Sequence, residues 1–127
     1  MIRALEMARQ AHRRAVEQMY EDVCWVYEYV GVADEKTKIT TKKEMLVSEG
    51  IPCKISFESL DITPIGDTAA EKKVSVKLFL APEIQIKAGS KVVVEHEGET
   101  AAYKSSGVPG KFATHQEAML ELFRGWA

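Results

Sequence analysis

The chain has 127 residues, of which 46% are apolar and 28% charged, so it can bury the core of one domain and is not disordered. Lysine and arginine total 17 against 19 aspartates and glutamates, which gives a net charge of −2 with both signs mixed along the chain. This excludes a broad basic surface that would bind phosphate backbones. No segment has the roughly 18 apolar residues of a membrane span or the apolar run of a signal peptide. We therefore expect a soluble intracellular protein with no membrane partner.

The first segment, from Met1 to about Met19, is rich in Ala, Arg, Glu and Met and predicts an amphipathic helix. Its apolar stripe contains few large residues, so packing against its own domain would stabilise it little. The opposite face is charged, which suits either exposure to water or docking on an acidic neighbour. The candidate interface residues on this helix are Arg3, Arg9, Arg13 and Arg14.

The pattern then changes to a period of two with β-branched and aromatic residues. In "DVCWVYEYVG", Trp25, Tyr27 and Tyr29 share one face and Cys24 and Val26 the other, which predicts a central strand covered on both sides. The next stretch, "GVADEKTKITTKK", predicts a charged connection with room for a short edge strand. "IPCKISFES" alternates again and predicts a strand with one face in water.

Residues 59–73, "SLDITPIGDTAAEKK", have no lasting period and contain Pro64, Gly66 and Asp67, so they predict an exposed loop of unusual length. A strand, "VSVKLFLAPEI", follows, and "EIQIKAGSKVVVEHEGETAAYKSSG" adds two short strands between glycine turns. The predicted fold is one mainly β domain, with an N-terminal helix over residues 1–20 and a small closed or partly open antiparallel β-barrel over residues 21–127.

The C-terminal segment, "THQEAMLELFRGWA", fits two structures. As a helix it begins with a capping box formed by Thr114 and Glu117. As a strand it alternates Ala118, Leu120 and Leu122 with polar or outward positions, and it would close the barrel. Periodicity alone leaves both alternatives open.

No group of residues predicts an active site. His12, His96 and His115 occur in separate contexts without the spacing that brings two imidazoles to one metal, and we expect His96 to be a solvated turn residue. Cys24 and Cys53 lie in apolar strands, so we expect buried, reduced and inert thiols. The sequence contains no glycine-rich phosphate loop and no nucleophile motif. We therefore expect no enzymatic activity, no catalytic residue, no metal and no cofactor.

The aromatic strand raises an alternative function. If Trp25, Tyr27 and Tyr29 were exposed together with Lys54, they would form the stacking platform of an OB- or SH3-like barrel that binds nucleic acid or protein. The apolar residues on the opposite face of the same strand favour burial of these aromatics in the core instead.

A family resemblance adds to this reasoning. The segments "PCKISFES", "KVSVKLFLAP" and "EIQIKAGSKVVVEHEGETAAYKSSGVPGKFATHQEAML" resemble the small head–tail joining, or head-closure, connector proteins of tailed phages and prophages. The likeness covers about residues 51–122. The residues that carry it are Pro52, Cys53, Ile86, Gly89, Val94, Tyr103, Gly107, Pro109 and His115.

The resemblance implies a structural function. Proteins of this family are small β-barrels that assemble as rings, commonly twelve-membered, between the portal side of the capsid and the tail. The implied partners are other copies of the chain, portal or adaptor proteins and tail proteins, with DNA passing through without sequence recognition. The implied locations are the host bacterial cytoplasm during assembly and then the head–tail junction of the virion.

In this family a long loop of the barrel reaches into the channel and helps to retain packaged DNA. Residues 59–73 occupy the corresponding place between strands, which makes them a candidate channel loop. The candidate residues are Asp61, Ile62, Ile65, Asp67, Glu71 and Lys72. The acidic pI of about 5.9 suits a channel through which DNA slides.

Two further expectations follow from the resemblance. The N-terminal helix is longer than a minimal member requires, which indicates an added docking element or a neighbouring class of connector or minor capsid protein. The family pattern also predicts that His115 opens the last strand, which favours a strand over a helix for the C-terminal segment.

Overall fold

The computed structural model describes residues 2–62 and 71–126. One helix is followed by seven strands. These elements are α1 (Ile2–Glu17), β1 (Asp22–Ala33), β2 (Thr40–Ile62), β3 (Glu71–Leu80), β4 (Lys91–His96), β5 (Glu99–Ser105), β6 (Gly110–Lys111) and β7 (Gln116–Leu122).

The strands form one antiparallel sheet that closes into a ring. Its order is β3-β2-β1-β4-β5-β7, and β7 also pairs with β3, so six strands surround a common interior. β6 adds a two-residue pairing at the start of β7. The structure confirms the predicted fold class, which is mainly β and antiparallel with one N-terminal helix.

The hydrophobic core fills the interior of the ring because each ring strand turns alternate apolar residues inward. The buried apolar residues are Cys24, Val26, Cys53, Ile55, Leu78, Leu80, Ile86, Val92, Val94, Tyr103, Ala118 and Leu120. Burying one Val or Leu side chain stabilises a fold by about 1.5–3 kcal/mol, so this cluster is the main source of stability for the ring.

Cys24 and Cys53 are free thiols within this core, as the sequence predicts. A hydrogen bond with the Cys24 thiol, together with burial, holds the pKa of Cys53 well above its ordinary value. The Cys53 thiol therefore stays protonated at neutral pH, in agreement with a packing role.

The C-terminal segment is a strand that closes the ring. β7 begins directly after His115, which the family resemblance predicts, and pairs with β3 on one side and with β5 and β6 on the other. Gln116, Ala118 and Leu120 face the interior and are buried. A helix in this place would leave the edges of β3 and β5 unpaired, so closure of the sheet decides between the two alternatives.

β2 is longer than the ring and carries a two-stranded extension at each of its ends. The first arm comprises Glu28–Ala33 of β1, Thr40–Met45 of β2 and their connection, residues 34–39; within it β1 and β2 pair only with each other. The second arm comprises Glu58–Ile62 of β2 and Glu71–Ser75 of β3, which likewise pair only with each other.

Two predicted connections are therefore shorter than expected. Most of the charged stretch 31–43 belongs to strands of the first arm, and the predicted loop 59–73 is strand over residues 59–62 and 71–73. An arm that extends beyond the ring has no face in the core, so its sequence need not alternate and periodicity does not reveal it. The remainder of the predicted loop lies outside the described residues.

The first arm leaves the ring at a double irregularity in β2. Cys24–Tyr27 of β1 lie opposite the longer stretch from Ile51 to Leu46, so β2 contains two extra residues there. Gly50 within this stretch adopts a φ of 61°, a conformation that favours glycine. Bulges of this kind bend and twist a strand, which turns the arm relative to the ring.

α1 confirms the predicted N-terminal helix and lies mostly outside the ring. Residues 3–12 are all exposed, including Leu5 and Met7, and the partly buried positions are confined to the last turns and to Tyr20 beyond them. Within residues 2–62 and 71–126, no helix is long and apolar enough to span a membrane.

Candidate docking surfaces

The four predicted interface arginines of α1 separate into two groups. Arg3, Arg9 and Arg14 are exposed. Arg13 instead binds the ring, because its two terminal nitrogens contact both carboxylate oxygens of Glu83 and its Nε donates to Glu17 at 2.8 Å. These hydrogen bonds raise the pKa of Arg13 and lower the pKa of Glu83. Arg13 therefore anchors the helix to the ring, whereas the other three arginines remain exposed to solvent.

The predicted channel residues lie partly in strands. Asp61 and Ile62 end β2, Glu71 and Lys72 begin β3, and the backbone register pairs Asp61 with Lys72 and Ile62 with Glu71. These four residues thus belong to the second arm rather than to a loop. Ile65 and Asp67 lie outside the described residues.

A cluster of aromatic and charged side chains fastens the first arm to the ring. We call it the aromatic clasp; its members are Tyr27, Tyr29, Glu44, Lys91, Phe123 and Trp126. Trp126 stacks on Tyr29 with ring centroids 5.0 Å apart and contacts Phe123 edge-on at 5.1 Å. Its indole N–H donates to Glu44 at 3.2 Å. The segment after β7 is thereby held against the outer face of β1.

Lys91 is the central charge of the aromatic clasp. Its Nζ lies 4.7 Å from the ring centroid of Phe123 and 5.4 Å from that of Tyr27, and it donates to Glu44 at 2.6 Å. The hydrogen bond from Lys91, with a smaller contribution from Trp126, lowers the pKa of Glu44. Since Lys91 belongs to β4 and Glu44 to the arm, the ion pair joins the arm to the ring.

The aromatic face of β1 lies neither in the core nor fully in solvent. Trp25 and Tyr27 are half-buried on the outside of the ring, and only Cys24 and Val26 of this strand belong to the core. The interpretation of these aromatics as core residues is therefore wrong. They lie on the outer face of β1, and Trp126 of the C-terminal segment covers Tyr29 from outside. Lys54 Nζ lies 3.7 Å from Glu21 Oε1. Trp126 stacks on the ring of Tyr29, so this ring face of Tyr29 is not open for a nucleic-acid base.

His96 has a buried acidic partner that sequence reasoning missed. Its Nδ1 lies 2.7 Å from Asp22 Oδ1, and Asp22 is only 3% exposed. The other Asp22 oxygen accepts the Ile55 N–H at 2.9 Å. The hydrogen bond with Asp22 raises the pKa of His96. The expectation that His96 is a solvated turn residue is wrong, because His96 is the last residue of β4 and pairs with Asp22. The two residues are 74 positions apart, so no local sequence pattern indicates the pair.

The other two histidines belong to separate surroundings. His12 is exposed on α1, and His115 stacks on Phe112 with centroids 4.9 Å apart. Among residues 2–62 and 71–126, no group of three or more His, Cys, Asp or Glu side chains is arranged to hold a metal ion.

One side of the ring interior opens to solvent. Three apolar residues stand at even steps along their strands from buried core residues, so they also face inward: Phe57, Val74 and Leu122. Their side chains are nevertheless 51%, 55% and 64% exposed. They line an open cleft of about 1000 Å³ whose floor is formed by Tyr103 and Leu120. We call this opening the apolar mouth. Apolar side chains exposed together in a concave site indicate a contact surface.

The turn between β4 and β5 carries acidic side chains, and one of them lies near the apolar mouth. Glu95, Glu97 and Glu99 are all exposed, and Glu99 lines a small recess together with Phe57 and His96. On the opposite side of the mouth, Lys104 and Glu121 neutralise each other at 3.5 Å, and Arg124 is exposed. The charged residues that line the mouth itself are therefore Lys104, Glu121 and Arg124.

The residues behind the family resemblance occupy fold-determining positions. Ile86, Val94 and Tyr103 are in the core, and Gly89 turns the chain with a φ of 88°. Pro109 is buried beside the short strand β6. The resemblance thus reflects the packing of the ring rather than an active site.

Comparison with known proteins gives one structural similarity. No protein-family model matches the chain, and no curated protein matches it significantly. A similar solved structure is that of the phage-like element PBSX protein xkdH from Bacillus subtilis. The two chains share 14% identity, and the similarity covers 77% of this chain and 90% of the other, with a TM-score of 0.48. Similarity at this level assigns neither a family nor a function to the chain.

Proposed function

We propose that the protein is a structural subunit of a phage head–tail connector ring, which seals the portal or adaptor side to the tail and leaves a channel for DNA. The proposal includes no catalytic step, cofactor or metal. It places the protein in the host cytoplasm during assembly and at the head–tail junction of the virion afterwards.

The observation that carries the proposal is the amount of apolar surface exposed outside the core. The first arm exposes Tyr29, Ile39 and Met45, and the bulged stretch of β2 next to it exposes Leu46 and Val47, each between 40% and 61%. The apolar mouth exposes three more large side chains on another part of the ring, and α1 exposes Leu5 and Met7. Separate apolar patches of this kind are typical of a subunit that contacts several neighbours rather than of a protein that works alone.

The arrangement of these patches suits a closed ring of copies. A ring requires head-to-tail contacts, in which each subunit presents two different surfaces. The first arm and the apolar mouth are two such surfaces, and the exposed arginines of α1 supply a third for a portal, adaptor or tail protein. The sequence resemblance over residues 51–122 adds the expectation that the ring is commonly twelve-membered.

The net charge is consistent with passage of DNA through such a ring. With −2 for the whole chain, the subunit provides no broad basic surface on which a duplex would be retained. DNA would then slide through the channel instead of adhering to its wall.

Light scattering over a wide concentration range tests the proposal, alone and with the portal, adaptor and tail proteins encoded beside the chain in its genome. We expect a discrete ring, or a complex of defined stoichiometry with one of these proteins, and no binding of short duplex DNA at physiological salt. A monomer that forms no complex with any of them would contradict the proposed function.

A further inference from the structure

The wall of the ring has a gap beside the start of β1. β1 lies between β2 and β4, and its first residue, Asp22, pairs with Cys53 of β2. β2 continues beyond this pair to Ile62, whereas β4 ends at His96 and turns into β5. Beyond Asp22, β1 therefore no longer separates β2 from the hairpin that β4 and β5 form.

The side chain of Asp22 spans this gap. Its Oδ2 accepts the backbone N–H of Ile55 at 2.9 Å, and its Oδ1 accepts a hydrogen bond from Nδ1 of His96 at 2.7 Å. The Ile55 N–H thereby gains an acceptor at a level of the sheet where β1 offers no backbone carbonyl. One carboxylate thus joins β2 to the last residue of β4, and we call this arrangement the Asp22 bridge.

A small recess lies behind the Asp22 bridge. Its volume is about 70 Å³, and Ile55 and His96 both line it. The ring centroid of Phe57, on β2, lies 6.0 Å from that of His96. Phe57 and Tyr103 line both the recess and the apolar mouth, so the two openings share a wall. Separation of His96 from Ile55 would therefore open the recess and enlarge the apolar mouth.

The Asp22 bridge combines a buried carboxylate with a partly exposed imidazole. The Asp22 side chain is 2% exposed and that of His96 30%. A protonated His96 compensates the buried negative charge directly, and the hydrogen bond with Asp22 raises the pKa of His96, so this form persists to higher pH. When His96 loses its proton, Asp22 loses that compensation. Hydration of the carboxylate by local opening then becomes more favourable.

The groups around His96 also favour opening once its proton is lost. The charged or titratable residues beside it, taken from its own strand and from the neighbouring elements, are Glu21, Asp22, Lys54, Glu95, Glu97, Glu99 and Tyr103. Glu97 Oε1 lies 3.9 Å from Nε2 of His96, and Lys54 compensates Glu21 at 3.7 Å. Burial raises the pKa of Tyr103, so its phenol stays neutral. Carboxylates therefore dominate the charge around a neutral His96, and like charges repel one another.

We propose that the Asp22 bridge is a pH-sensitive switch in the ring wall. Protonation of His96 holds the gap between β2 and the hairpin of β4 and β5 closed, and loss of the proton lets this gap open locally, so that the recess joins the apolar mouth. The switch lies within one subunit and is independent of the proposed assembly into a ring. It sets how much apolar surface the subunit presents at the mouth.

Residue-resolved hydrogen exchange tests the switch. NMR measures the protection factor of the Ile55 amide from pH 5 to pH 8, normalised to the intrinsic exchange rate, together with the titration of the His96 ring. We expect this protection factor to fall by about tenfold or more as His96 loses its proton. Exchange of Ile55 should be insensitive to low urea concentrations, because a local opening exposes little surface. Exchange of the buried Leu78 and Val92 amides should instead show the urea dependence of global unfolding.

Two replacements of His96 fix the switch in opposite states. His96→Gln keeps a hydrogen-bond donor without a charge, so Ile55 should be as weakly protected at every pH as in the unmodified protein at pH 8. His96→Arg stays charged over the whole range, so Ile55 should keep the protection that the unmodified protein shows at pH 5. His115→Gln is the matched control, because His115 also lies near a carboxylate, 3.6 Å from Glu117, but away from the gap. This control should keep the pH response of the unmodified protein.

Three results would each overturn the switch. The first is a protection factor of Ile55 that stays constant while His96 titrates. The second is exchange of Ile55 with the same urea dependence as Leu78 and Val92, which would mean that only global unfolding releases Asp22. The third is a folded His96→Arg protein that retains the pH response of the unmodified protein. Circular dichroism establishes that each variant is folded, and the first two results need only the unmodified protein.

Discussion

Trp126 stacks on Tyr29 at a centroid distance of 5.0 Å and joins the end of the chain to the base of the first arm. The interplanar angle is 19°, and the same indole donates a hydrogen bond to Glu44 of the opposite arm strand. One side chain therefore contacts both strands of the arm. This makes the aromatic clasp the element that sets the position of the arm relative to the ring.

Replacement of this side chain should loosen the arm without unfolding the ring. Trp126→Ala removes two aromatic pairs, with Tyr29 and with Phe123, each worth about 0.5–1.5 kcal/mol beyond its buried area. We expect faster amide hydrogen exchange for residues 28–33 and 40–45, with the core strands unchanged. Phe112→Ala is a matched control because it removes a stacked pair with His115 away from the arm. Equal exchange rates in the arm of both variants would contradict the role of the clasp.

The pair of His96 and Asp22 should make stability depend on pH. Because the folded-state pKa of His96 is raised above the unfolded value, the pair contributes its full stabilisation below the unfolded pKa and loses it as pH rises through the folded pKa. The free energy of unfolding, measured in urea from pH 5 to pH 9, should therefore fall through this window.

His96→Gln should remove that pH dependence. His12→Gln is the control, since His12 is exposed on α1 and should leave the profile of the unmodified protein intact. If His96→Gln and the unmodified protein showed the same pH profile, the ion pair would not contribute to stability.

The anchor between Arg13 and Glu83 should hold the helix but add little to the ring. The Arg13 side chain is 33% exposed and that of Glu83 59%, so solvent screens the pair and its coupling energy should be under about 1 kcal/mol. A double-mutant cycle with Arg13→Gln and Glu83→Gln measures this coupling from urea unfolding. We expect faster hydrogen exchange in α1 with each change and a smaller effect at high salt. A coupling of several kcal/mol would show that the helix is part of the cooperative unit.

Gln116 should be the most sensitive polar residue of the core. It is completely buried, and its amide nitrogen donates to the carbonyl oxygens of Ala81 at 2.7 Å and Ile84 at 2.5 Å. Gln116→Met keeps the approximate volume but leaves both carbonyls without this donor, which should cost about 1–3 kcal/mol per unsatisfied group. Thermal unfolding measures the loss. Gln85→Met, at an exposed position of the same connecting segment, should leave the midpoint unchanged.

Several parts of the fold follow from local sequence patterns. The run from Val92 to Val94 and the alternation around Cys53 and Ile55 predict core strands, and the structure buries these residues. The helix before β1 also follows from composition, because good helix formers and a repeat of three and four residues are local properties. Buried free cysteines were likewise predictable, since a thiol in an apolar strand packs as a small hydrophobic side chain.

The sequence by itself thus determined the class of the fold and part of its core, including Cys53, Ile55, Val92 and Val94, because burial imposes a period of two on a strand with one covered face. Tertiary structure alone decided the rest. The C-terminal segment became β7 because the ring needed a strand between β3 and β5, and the two arms formed because β2 pairs beyond the core, where no buried face marks the sequence. The aromatic clasp and the pair of Asp22 with His96 join positions far apart in the chain, and such contacts depend on closure of the ring.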